Sequence, residues 1–199
     1  MPVQVTVCLL LSLRKASYTF IMSNLKENKI SSEIIYQGRL LDVRRDKVRL
    51  PNGNISTREW IKHPGAVCMI PLLPDNRIAL IRQYRYPVQQ EMIELPAGKL
   101  EENENPEACA MRELEEEIGF RAKKLTFLTH IYPAIGFADE LMGLYMAENL
   151  VKTISNHDED EFLELMPTPL GEAIKMVWNR KITDVKTIIG ILWAERILL

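Results

Sequence analysis

Apolar and polar residues alternate from Glu33 to Lys62, and Asn52-Gly53 in "RLPNGNIS" interrupts the alternation where a two-residue hairpin turn belongs. This stretch predicts three short strands in a small N-terminal antiparallel β-sheet. Beyond it the pattern changes. "AVCMIPLL" is continuously apolar and "RIALIRQY" nearly so, with Pro74-Asp75-Asn76 between them. Strands buried on both faces carry such runs, and the turn residues predict a second, more buried hairpin that opens the main domain. "EMIELPAGKL" follows, then a helix over 106–118, strands near "LTFLTHIY" and "LMGLYMAENL", and two C-terminal helices that start near Pro169 and Thr183. Strands and helices interleaved in this way predict an α/β fold, a mixed sheet covered by helices. The change of pattern divides the chain into 22–63, the small β subdomain, and 64–199, the main domain.

The helix over 106–118 has the clearest ends. Asn105 is a good N-cap, Pro106 suits the first turn, and Gly119 can take the left-handed conformation that stops a helix. Met111, Leu114 and Ile118 fall three and four apart and give a buried stripe, while Glu113, Glu116 and Glu117 follow the same spacing on another face. Like charges at that spacing cost about 0.2–0.5 kcal/mol per pair. Carboxylates in the last turn also face the negative end of the helix dipole, at a similar cost. Arg112 offsets only part of this. A bound cation is the natural compensation, and hard carboxylate oxygens with no Cys or His partner favour magnesium or manganese over zinc. Taken alone, "ELEEE" is more often a solvated acidic face.

Composition narrows the partners. At 199 residues and 47% hydrophobic content the chain can bury a sizeable core, and a formal net charge of -2 gives no general reason to expect nucleic acid or an anionic membrane. Cys8, Cys68 and Cys109 are scattered, with no Cys-x-x-Cys spacing, which argues against a disulfide framework or a zinc site and for a reducing, cytoplasmic compartment. "VQVTVCLLLSL" is too short to span a bilayer, and Arg14 and Lys15 follow it where a secretory signal would carry charge before it. The lack of acids before Glu27 also suits an organelle transit peptide. The preferred reading is a start at Met22, with 1–21 a dispensable or disordered extension.

Outward from the helix, Gly98, Glu104, Arg112, Glu113, Leu114, Glu116, Glu117, Gly119 and Phe120 fit G-x5-E-x7-R-E-U-x-E-E-x-G-U, with U a bulky apolar residue, at every specified position. At average residue frequencies a chance match in such a chain is on the order of one in ten million, which displaces the solvated-face reading. The segment resembles the Nudix box of hydrolases that act on a nucleoside diphosphate linked to another group. The resemblance implies a loop-helix-loop against a mixed sheet in an α/β/α sandwich. It implies that Glu113 and Glu117, helped by Glu116 and the backbone carbonyl of Ala97, hold metal ions, and that Glu104 and Arg112 brace loop and helix from behind. Gly98 and Gly119 are its structural glycines.

Outside the box, "TREWIKHPGAV", "RQYRYPVQQ", "LPAGKLE" and "YPAIGFADELMGLYMAENL" resemble the bacterial ADP-ribose pyrophosphatase branch, from about Glu33 to the C-terminus. Enzymes of that branch cleave ADP-ribose to AMP and ribose 5-phosphate. They commonly work as homodimers whose N-terminal sheets contribute to the partner's site. Carried over by position, Arg58 and Glu59 lie near the adenine, Arg85 meets phosphate, and Glu140 is a loop acid that serves as base or orients water. The plainer rivals are an exposed strand arginine and a solvated loop acid.

Two departures bear on the substrate. Ala134-Ile135-Gly136 stands where the family often has Ser-Pro-Gly, and Leu40 and Leu41 stand where some relatives stack aromatics on adenine, with Trp60 either a substitute or a packing residue of its strand. His63, His130 and His157 are too separated for a metal cluster. "HDEDEFLE" reads as a solvated turn before a strand, and Trp178 and Trp193 as core or dimer contacts. The leading expectation is magnesium-dependent hydrolysis of ADP-ribose. The alternatives are a broader nucleoside diphosphate-sugar or dinucleotide (NADH-type) pyrophosphatase, and a nucleotide-sensing module without turnover. That last class usually has an eroded box, and this box is whole.

Overall fold

The computed structural model of the chain describes residues 24–153 and 162–199. The 1–21 extension, His157 and most of "HDEDEFLE" lie outside the described residues. Strands Asn28–Gln37 (β1), Asp42–Arg49 (β2) and Ile55–Lys62 (β3) form an antiparallel sheet in the order β1-β2-β3. Every residue of β1 is exposed, including Ile30, Ile34, Ile35 and Tyr36. Within this sheet only Asp46 and Val48 are buried, so in one chain it has almost no core of its own.

The main body contains Ala66–Pro71 (β4), Arg77–Arg85 (β5), Gln90–Glu94 (β6), Ala97–Lys99 (β7), the helix Pro106–Ile118 (α1), Phe120–Ile131 (β8), Met142–Lys152 (β9) and Leu163–Pro169 (β10). Helices Leu170–Trp178 (α2) and Val185–Leu198 (α3) complete it. One mixed sheet has the order β7-β4-β9-β8, with β4 and β9 parallel; an antiparallel sheet has the order β10-β5-β6. Alternate residues of β4 and β5 serve opposite layers. Cys68, Ile70, Ile78 and Leu80 join the core shared with α2 and α3, whereas Val67, Met69, Ala79 and Ile81 join the core shared with α1. Both faces are therefore covered, which gives the α/β/α sandwich and explains the continuous apolar runs.

The second hairpin is not a paired ladder. The turn closes tightly, with the Leu73 N–H donating to Arg77 O at 2.8 Å and the Asn76 N–H to Leu73 O at 3.0 Å. After the single Leu72–Ile78 bridge the strands part into different sheets. Each is central in its own sheet, β4 between β7 and β9 and β5 between β10 and β6, so neither has an edge left for the other. The tryptophans also depart from the core reading. Trp178 is 68% and Trp193 38% exposed, because the buried stripes run through Leu170, Ala173 and Met176 on α2 and Thr187, Gly190, Ile191 and Ala194 on α3. Cys68 and Cys109 are buried thiols. Among the described residues, no helix is long and apolar enough to cross a membrane.

Candidate active site

Helix α1 begins and ends where its sequence signals lie. The Asn105 side chain accepts from the Glu107 N–H at 2.8 Å, and Gly119 adopts φ 67° while its N–H donates to Glu115 O at 3.1 Å. Leu114 and Ile118 anchor the helix in the core, which turns Glu113, Glu116 and Glu117 toward a cavity of about 530 Å³. Glu117 is only 4% exposed, and its Oε2 accepts the Ala97 N–H at 3.0 Å. Gly98 lies beneath Glu113: a Cβ built there would sit 1.8 Å from Glu113 Oε1. The carboxylate thus occupies space that only glycine leaves open.

Arg112 stands among these acids. Its Nε and Nη2 each donate to Glu104 at 3.0 Å, Nη2 also reaches Lys99 O at 3.2 Å, and Nη1 donates to both Glu113 Oε1 and Glu116 Oε2 at 2.8 Å. As the side chains lie, no three metal-ligating groups converge on one point among the described residues; Arg112 itself gathers Glu113 and Glu116. The donor set still suits a hard divalent cation, since the groups here that could ligate a metal are carboxylate and backbone oxygens, and the backbone of Gly98 approaches Glu113 closely.

Hydrogen bonds from Arg112, aided by the Glu101 N–H and opposed by burial, pull the Glu104 carboxyl down from 4.5 to about 2. A carboxyl whose folded value lies below its unfolded one stabilises the fold above the unfolded value. That contribution fades as pH falls from 4.5 toward 2. Thermal melts across this range should therefore show wild type more stable than Glu104→Gln at pH 7, with the difference closing as the solution is acidified below about 4.5. A constant gap would show that charge on Glu104 is not what braces the loop.

Arg85 and Lys186 also line the cavity, each paired with a carboxylate. Arg85, on β5, donates through Nε and Nη2 to Glu94 at 2.7 and 2.9 Å, leaving Nη1 for a ligand. Lys186, in the first turn of α3, bonds Glu94 from the other side and Asp184 Oδ2 at 3.0 Å. Burial alone would raise the Glu94 carboxyl, but the hydrogen bonds and charges of Arg85 and Lys186 hold it below its ordinary value. Burial likewise pushes Lys186 down, and the charges of Glu94 and Asp184 overcome it, leaving the amine raised. Sequence reading missed Glu94, Asp184 and Lys186. Their only local signals are a glutamate closing an apolar strand and an aspartate placed to cap a helix.

Glu140 lines the same cavity from a loop stitched to the small sheet. The Ile61 N–H donates to Phe137 O at 2.8 Å, the Asp139 N–H to Ile61 O at 3.3 Å, the His63 N–H to Asp139 Oδ1 at 2.7 Å, and the Ala66 N–H to Leu141 O at 3.0 Å. Leu40 reaches the cavity as well. Arg58 and Glu59 do not line it: Arg58 pairs with Glu27 and Glu59 with Arg45, both on exposed β3. Trp60 beside them is half-buried, His63 accepts the Gly65 N–H through Nδ1, and His130 packs on Phe127 at the surface.

Comparison with known proteins agrees with this geometry. Residues 62–185 match the NUDIX domain family, and residues 27–61 match the family described as nucleoside diphosphate sugar hydrolase N-terminal domain. The chain is 43% identical over 176 residues to the ADP-ribose pyrophosphatase of Bacillus subtilis (strain 168), spanning 87% of this chain and 95% of that one. It is 40% identical over 172 residues to the methanol dehydrogenase activator of Bacillus methanolicus, spanning 85% and 93%. A crystal structure of an ADP compounds hydrolase superposes with a TM-score of 0.78 at 24% identity, over 87% of this chain and 94% of that one, and so shares the fold. The acidic helix, with the glycine beneath it, is thus the box of a well-known fold, and the chain belongs to the Nudix hydrolases.

Proposed function

We propose that the protein hydrolyses the pyrophosphate bond of ADP-ribose to AMP and ribose 5-phosphate, with magnesium as its cation and manganese as a substitute. The observation that carries this reading is one cavity lined both by Glu113, Glu116 and Glu117 and by Arg85 and Lys186. A diphosphate would share this cavity with the acids only if a cation screened its charge from theirs. Glu113, Glu116, Glu117 and the Ala97 carbonyl would hold that cation. Bound there, it neutralises phosphate oxygens and lowers the pKa of a water. Arg85 takes a phosphate oxygen through Nη1, and Glu140 orients the attacking water or accepts its proton. The similarity to an ADP-ribose pyrophosphatase over nearly the whole chain supports the choice of substrate.

Arg58 and Glu59 serve the adenine of a second copy in this reading, so the working form is a homodimer. The uncovered apolar residues of β1 and the absence of both side chains from their own cavity support it. Buried thiols suit a reducing, cytoplasmic setting. One observation favours a wider substrate range: Leu40, an aliphatic residue, lines the cavity and gives an adenine ring no aromatic face.

Incubation with ADP-ribose and magnesium, followed by chromatography, should yield AMP and ribose 5-phosphate. Higher kcat/KM on ADP-glucose or NADH would shift the reading to the broader pyrophosphatase. No turnover of any of the three, with nucleotide bound, would leave a sensing module.

A further inference from the structure

We infer that Lys186 is a positioning residue that works through Glu94 to preset Arg85 for a diphosphate. The inference rests on the proposed hydrolysis for its ligand class, but its geometry is independent of the acidic helix. Glu94 is 2% exposed and is gripped from two sides, by the paired Nε and Nη2 of Arg85 and by Lys186 Nζ. A bidentate guanidinium has its direction fixed by the carboxylate, so wherever Glu94 is held, Nη1 of Arg85 is aimed.

What holds Glu94 is the start of α3. Asp184 accepts from the Thr187 N–H at 3.0 Å and the Thr187 hydroxyl at 2.6 Å, while that hydroxyl oxygen accepts the Leu95 N–H at 2.7 Å. Lys186 adds the charged tie between Asp184 and Glu94. The end of β6 and the first turn of α3 are thereby locked together beneath the cavity. Charge matters as much as reach. With Lys186, two cations balance two carboxylates; without it, Glu94 and Asp184 both bear on Arg85 alone, drawing its guanidinium toward protein acids and leaving the cluster net negative. Preorganisation of this kind lets a clamp meet its ligand without first rearranging.

A double-mutant cycle tests this, using Lys186→Met, Arg85→Lys and the combination in the full chain. The readouts are KM and kcat for ADP-ribose and, independently of turnover, the Kd of ADP with magnesium by calorimetry. For Lys186→Met, KM and Kd should each rise about tenfold with kcat within about threefold, the signature of lost ground-state binding. The double variant should bind within about threefold of Arg85→Lys alone, because both changes act on one contact. Lys186→Arg should recover most of the affinity. Losses that multiply would make Lys186 a separate contact to the diphosphate and overturn the inference. A fallen Tm with unchanged KM and Kd would reduce the network to a fold staple and overturn it too. Should Lys186→Met fail to fold, Lys186→Gln, which keeps a donor toward Glu94 but removes the charge, is expected to raise the Kd of ADP in the same direction; an unchanged Kd there is equally decisive. If wild type binds ADP but does not turn over ADP-ribose, the proposed reaction fails while the ADP arm still decides the role of Lys186.

Discussion

Glu117→Gln should lower kcat on ADP-ribose by about 10²–10³-fold, the scale of removing one preorganised electrostatic contact from a transition state. The substitution changes charge but scarcely shape. Glu117 is 4% exposed and its Oε2 already accepts the Ala97 N–H, a bond that an amide oxygen can retain. Packing survives, and Tm should hold or rise, since one of several crowded acids near the helix C-terminus has been neutralised. ADP should still bind through Arg85. Kinetics, a thermal melt and an ADP titration on one preparation separate these effects. Rapid turnover by the variant would remove Glu117 from the metal-holding set.

Gly98→Ala should be nearly as damaging, for a different reason. The added methyl would lie 1.8 Å from Oε1, 1.9 Å from Cδ and 2.3 Å from Cγ of Glu113, all of them side-chain atoms. The flexible carboxylate moves and the backbone does not, so the fold bears a cost of about 1 kcal/mol, or roughly 2–4 °C in Tm. Activity should fall by about 100-fold, because a displaced Glu113 no longer presents its oxygens beside Glu117. Gly136→Ala is the internal control, since nothing lies within 4 Å of a Cβ placed there. A large Tm loss with activity retained would show that Gly98 serves packing rather than Glu113.

The placement of Glu117 is legible in the sequence because its signals are local, whereas Gly98 enters only through the resemblance of the whole segment to the box. Asn105, Pro106 and Gly119 fixed both ends of α1, and the three-and-four spacing put the acids on one face. Partner choice was not local. The turn at Pro74–Asn76 was read correctly, yet a run buried on both faces does not say which edges it pairs with, and β4 and β5 went to different sheets. Helical spacing leaves Trp193 as a core or dimer contact; of the two, the core is excluded, because the stripe that packs is built of smaller residues, Thr187, Gly190, Ile191 and Ala194. Glu94 and Lys186 lie 92 positions apart, and only folding makes them neighbours. Arg112 showed its place in the motif but not that one of its nitrogens would gather Glu113 and Glu116.

Warming should silence the enzyme before it melts. The strip 61–66 ties residues 137–141, and with them Glu140, to a sheet in which only Asp46 and Val48 are buried. In a single chain, where no second copy covers it, a sheet with so little interior opens at lower free energy than the layers around β4. When that sheet loosens it takes Glu140 with it, so the hydrolysis proposed for this cavity would be lost by a local event while the spectroscopic signature of both helical layers is intact.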